Sequence, residues 1–104
     1  MTTAPTSLRI VGREFEVKML DEYEGQVGGV DHPSCTINIK SGQQKLLEAD
    51  TMVHEALHVL DEIFQLNLTE RHVYCLAGGI IALLRDNPTM IDYLKDAIEN
   101  PRKV

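Results

Sequence analysis

Thr51-Met52-Val53-His54-Glu55-Ala56-Leu57-His58-Val59-Leu60-Asp61 carries the pattern H-E-x-x-H inside a run whose apolar residues recur at helical spacing. On a helix, residues four apart lie one turn above each other, so the imidazoles of His54 and His58 can close on one cation. Glu55 then flanks that cation. In zinc hydrolases this geometry leaves the glutamate unligated but close enough to take the proton of an attacking water.

The helix predicted around the motif runs from about Gln44 to Phe64. Leu46, Val53, Leu57, Leu60 and Phe64 form its apolar stripe, widened by Met52, Ala56, Val59 and Ile63. The remaining sector holds Asp50, Thr51, His54, Glu55, His58, Asp61 and Glu62, and no Lys or Arg occurs between Lys45 and Arg71. A solvated helix face ordinarily mixes both signs of charge. A sector of acids and histidines alone attracts a cation.

A catalytic zinc takes three protein ligands and leaves one position open. Asp61, Glu62, Glu70 and His72 compete for the third place. Asp61 faces the correct way but sits about 4.5 Å further along the same axis, which suits it to a supporting role around the ligands. Glu62 points further round. Glu70 and His72 lie on the next element and approach from a second direction. Glu70 is also a good first-turn acid for its own helix, and His72 is equally readable as a ligand, an exposed side chain or a donor to a reacting oxyanion.

On either side of the motif the chain divides cleanly. Residues 1–7 read as a loose tail, and 8–100 as one domain. Leu8 and Ile10, then Phe15, Val17 and Met19, alternate with polar residues about Gly12-Arg13, the mark of a β-hairpin with one wet face. A second hairpin is expected from Gln26–Val30 and Thr36–Lys40 around the turn formers Asp31 to Ser34. Gly28-Gly29 in it suggests a bulge or a close backbone approach. After Gln65 to Leu68, Thr69 is placed to cap a helix to about Arg85. Gly78-Gly79 within that helix suggests close packing against other backbone. Asn87 is read as the cap of a third helix, with Met90, Ile91, Leu94 and Ile98 turned inward. The fold class expected is therefore α+β: a small, mainly antiparallel sheet packed on the motif helix, with two further helices.

Composition bounds the function. A chain of 104 residues with 43% hydrophobic and 25% charged residues forms one ordinary globular domain with a shallow cleft. A net charge of −6 argues against nucleic acid or an anionic membrane as partner. No leader or membrane span is legible, so the expected compartment is cytoplasmic. Cys35 and Cys75 make no disulfide framework and read as buried free thiols.

At these residues the sequence resembles the gluzincin class of zinc metallopeptidases, and in particular small phage and prophage proteins of the ImmA/IrrE type. In that branch the glutamate ligand opens a pattern like E-x-x-A-N-x-F-A, and Glu70-Arg-His-Val73-Tyr74-Cys-Leu76-Ala77 has that shape. The resemblance covers roughly residues 23 to 90 and is specific only at H-E-x-x-H. It implies a zincin-like fold, Zn²⁺ held by His54, His58 and Glu70, Glu55 as general base, and a peptide or protein substrate. It favours Glu70 over His72. Two departures stand out: only eleven residues separate His58 from Glu70, so the link must turn sharply, and Tyr74 stands where a carboxylate or amide often orients a ligand histidine. A metal-stabilised regulatory or interaction module without turnover is the rival from another class, and a purely structural domain is the third possibility.

Overall fold

The computed structural model describes residues 2–104. Its elements in chain order are β1 (Ser7–Ile10), β2 (Arg13–Leu20), β3 (Gly28–Asp31), β4 (Thr36–Lys40), α1 (Lys45–Phe64), α2 (Glu70–Asp86) and α3 (Pro88–Glu99). This is an α+β fold. The four strands form one mixed sheet in the order β1-β2-β4-β3.

The first hairpin closes at Val11 and Gly12, whose φ angles of 48° and 78° give the left-handed pair that matches strand twist in a two-residue turn. Phe15 and Val17 consequently face one side, and both are buried. From β2 the chain passes over the place β4 will occupy and lays down β3 at the edge. It then turns back through His32 to Cys35, and β4 fills the gap. β4 thus runs parallel to β2, with Val17 beside Ile37, and antiparallel to β3, with Val30 beside Ile37. Two of the three pairings are antiparallel, so the sheet is mainly antiparallel as expected.

Phe15, Val17, Ile37 and Ile39 from the sheet meet Val59 of α1 in the core, with Met52 and Ile63 packed against them. Removing a residue such as Ile37 or Val59 from this cluster would cost on the order of 2–4 kcal/mol through lost burial and the cavity left. α2 packs on α1 through Val73 and Ala77.

Several expectations are corrected. Ser7 of the expected tail opens β1 opposite Glu16, and the Thr6 carbonyl accepts a hydrogen bond from the Val17 amide; Met1 lies outside the described residues. The most buried line of α1 is Thr51, Glu55 and Val59, while Leu46 and Phe64 are exposed. Helical periodicity located the apolar sector but not the sheet's own contribution, and the glycines of β3 leave room for polar side chains there. Gly28-Gly29 is no bulge but two regular ladder positions approached by side chains. A Cβ at either Gly78 or Gly79 would meet nothing within 4 Å, so no backbone lies against them in the protomer. Cys75 is exposed and Cys35 only half-buried, the latter in the β3–β4 turn at φ 52°. Asn87 turns its side-chain amide back to the Leu83 carbonyl at the end of α2 and leaves α3 without a side-chain cap. No residue of α3 is buried.

Candidate metal centre

His54 and His58 occupy successive turns of α1, with ring centroids 4.9 Å apart and Nε2 atoms 3.2 Å apart. Glu70, the first residue of α2, brings its carboxylate to both: Oε1 lies 2.6 Å from His54 Nε2 and Oε2 3.0 Å from His58 Nε2. These three donors can be tested against a metal. A tetrahedral zinc with bonds of about 2.0–2.1 Å separates its ligand atoms by about 3.3 Å. The two histidine nitrogens, 3.2 Å apart, are close to that edge, while the Glu70 oxygens at 2.6 and 3.0 Å lie nearer, at hydrogen-bond distance, and would have to draw back to admit an ion. His54, Glu55 and His58 also offer ligand atoms within 4.8 Å of one another. The distances favour Glu70 over Glu55 as the third donor, because Glu70 reaches both imidazoles within hydrogen-bond range.

The sharp link between the ligands is built from named parts. Gln65 and Asn67 take left-handed φ angles of 51° and 63°, and the Gln65 and Leu66 amides close onto the last carbonyls of α1. Asp61 does not support a histidine. Its Oδ1 accepts the Leu68 amide at 3.1 Å and fastens the loop that delivers Glu70. His72 is likewise placed elsewhere: its Nδ1 accepts the Thr69 amide while Thr69 Oγ1 accepts the His72 amide, both at 3.1 Å. This is a capping box with histidine in the place of the usual Glu or Gln. It withdraws His72 from the ligand contest. Tyr74, 70% exposed, lies one turn beyond Glu70 and lines the cleft.

Glu55 is 5% exposed and directed at the sheet. A Cβ at Gly28 would lie 2.6 Å from Thr51 Cγ2 and 2.8 Å from Glu55 Oε2, so glycine at that position is what admits the carboxylate. Burial pushes the Glu55 carboxyl up from 4.5 to about 7; His54 pulls it back and Glu70 pushes it up further. A base with that value accepts and returns a proton near neutrality.

A cleft of about 700 Å³ runs over these residues, with Gly28 and Val30 of β3 on one side and Asp50, Glu55 and Tyr74 on the helical side. Among the described residues β3 is paired only with β4, so its other edge is open beside the cleft. Three residues here do more than their sequence reading assigned them. Gly28-Gly29 reads as a bulge or a close backbone approach, whereas at Gly28 the side chains of Thr51 and Glu55 come close. Asp50 lines the cleft with a buried Oδ1 that has no hydrogen-bond partner. His32, read as a turn former, reaches the cleft from the β3–β4 turn and pairs through Nδ1 with Glu62, one turn beyond His58 on α1. An alternation of histidines and acids across elements gives no sequence signal for such a pair.

No family model, curated protein or solved structure matches the chain. No helix among the described residues is long and apolar enough to cross a membrane.

Proposed function

We propose that the protein is a zinc-dependent metallopeptidase-like hydrolase of gluzincin type, akin to the small phage and prophage ImmA/IrrE-type proteins it resembles, working on peptide or protein substrates in the cytoplasm. The observation that carries the reading is the meeting of His54, His58 and Glu70 from two helices, with Glu55 buried beside them. His54, His58 and Glu70 would hold Zn²⁺. When bound, zinc supplies Lewis acidity that polarises a carbonyl and lowers the pKa of water.

The chain's own residues supply the remaining chemistry. Glu55, kept close to neutrality by its burial, accepts a proton from the attacking water and returns it to the departing amine. The free edge of β3 offers backbone N–H and C=O groups to an extended peptide laid along the cleft. The wall opposite carries the histidines, so such a peptide passes between strand and metal ligands. His32, paired with Glu62, and Tyr74 line the same cleft and would contact it.

Glu55→Gln tests the reading. Hydrolysis of a denatured protein such as casein should fall by at least about 100-fold, with zinc content unchanged. Retention of full hydrolysis by that variant would refute the role of Glu55. The second reading, a metal-stabilised interaction module, is favoured by the 70% exposure of Glu70, since an open ligand suits a site with a structural or docking role. It is distinguished by Glu55→Gln leaving biological activity intact.

A further inference from the structure

Asp50 stands one turn before His54 on α1, at the head of a line in which Asp50, His54, His58 and Glu62 recur at every fourth position. Residues so spaced run along one side of a helix. Asp50 is half-buried and lines the cleft, and its Oδ1 atom is covered without a hydrogen-bond partner. No salt bridge among the described residues reaches it. Lys45, the only Lys or Arg of α1, donates instead to the Thr2 carbonyl. A carboxylate oxygen that has lost water without gaining a donor is costly until a partner arrives.

The cleft supplies no such partner itself. Its charged lining is Asp50, Glu55 and Glu70 with His32, His54 and His58, and it has neither Lys nor Arg. Zinc held by His54, His58 and Glu70 would be balanced by the charges of Glu55 and Glu70, which leaves Asp50 uncompensated. Asp50 belongs to no group of three or more His, Cys, Asp or Glu side chains converging on one point among the described residues. That argues against a metal ion of its own, which takes several ligands.

The strand opposite fixes where along a bound chain this charge falls. Gly28 faces Thr51 and Glu55, and His32 pairs with Glu62, so β3 and α1 run side by side in one direction. Asp50 therefore lies toward the start of β3, about 6 Å before His54 along the helix axis. An extended peptide advances about 3.3 Å per residue. A side chain facing Asp50 is then about two residues away from the peptide bond over the histidines.

We propose that Asp50 is a specificity-determining residue that receives a cationic nitrogen of a bound peptide, supplied by a Lys or Arg side chain or by the peptide's amino terminus. This rests on the reading of the cleft as a peptide site.

Amide chemical-shift titration of the zinc-free chain tests it without turnover. A short Ala/Ser peptide blocked at both ends and carrying one central Lys should bind at least about tenfold more tightly than its blocked Gln counterpart. Equal tightness from the Gln peptide with a free amino terminus would instead assign the charge to that terminus. Asp50→Asn keeps the shape of the side chain and should bring the cationic and blocked Gln peptides within about twofold of each other. Asp50→Lys should turn the preference toward a blocked Glu peptide, a reversal that loss of a structural contact does not produce. The proposal is overturned by equal affinity of the parent for cationic and neutral peptides, by no binding of either cationic peptide up to about 1 mM, or by undiminished discrimination in Asp50→Asn. Failure of the hydrolytic reading shows separately, as zinc-loaded parent that leaves casein uncut, and does not alter these binding ratios.

Discussion

Gly28 and Glu55 are complementary across the sheet–helix interface: the position 2.8 Å from the Glu55 Oε2 atom, where any other residue would carry a Cβ, is left empty by the glycine. An edge strand thereby makes room for a buried carboxylate next to two histidines. Gly28→Ala should displace Glu55 and, because Thr51 Cγ2 is closer still at 2.6 Å, push on α1 itself. The expected result is a stability loss of about 1–3 kcal/mol by denaturant titration, with hydrolytic activity reduced far more than zinc content.

The raised pKa of Glu55 makes a signed prediction for the metal-free protein. Its folded value of about 7 exceeds the unfolded 4.5, so the folded state binds more protons between those limits and stability falls as pH rises through that window. Below it the contribution is complete, and above it the loss levels off. The decline should amount to about 2 kcal/mol, less than the full conversion of the shift because water reaches the cleft. Glu55→Gln should flatten it, as should zinc, whose charge lowers the carboxyl's pKa again. A slope identical in the variant would assign the effect to other groups.

Asp61 positions Glu70 without touching it. Asp61→Ala leaves the Leu68 amide unpaired, at a cost of about 1 kcal/mol, and frees the loop, so zinc affinity should weaken in a calorimetric titration. Asp61→Asn retains the accepting oxygen and should stay close to the parent protein in both respects.

His72 and Glu70 are separated by a simple comparison. His72→Ala should lower thermal stability through loss of the capping box, by about 1 kcal/mol, and leave zinc binding intact. Glu70→Ala should lose zinc binding while the Thr69–His72 capping box stays in place.

The sequence revealed the fold class, the two hairpins, the motif helix and the convergence of His54 and His58, because each depends on local periodicity or on a fixed helical spacing. Glu70 was one of four candidates until the turn at Gln65–Asn67 brought α2 back against α1. That return depends on left-handed backbone at two non-glycine residues, which composition does not announce. The burial of Glu55 was hidden for a related reason. A helical projection treats every neighbour as apolar, whereas the neighbour here is a strand with glycines. Conversely, the apolar residues of α3 were expected to turn inward, yet α3 meets only α2 among the described residues and leaves Ile91, Leu94 and Ile98 exposed, since periodicity reports that a face is apolar and not what covers it. His32 and Glu62 meet across thirty positions of sequence, with only the tertiary fold to join them.

The central claim is that His54, His58 and Glu70 form one zinc site. Its most direct test is metal content by mass spectrometry of untagged protein, loaded with zinc and then dialysed, for the parent chain, Glu70→Ala, His72→Ala and Glu55→Gln. The account predicts one zinc per chain in the parent, His72→Ala and Glu55→Gln proteins and a loss of at least about tenfold in affinity for Glu70→Ala. No stoichiometric zinc in the parent, or zinc retained by Glu70→Ala and lost by His72→Ala, would contradict it.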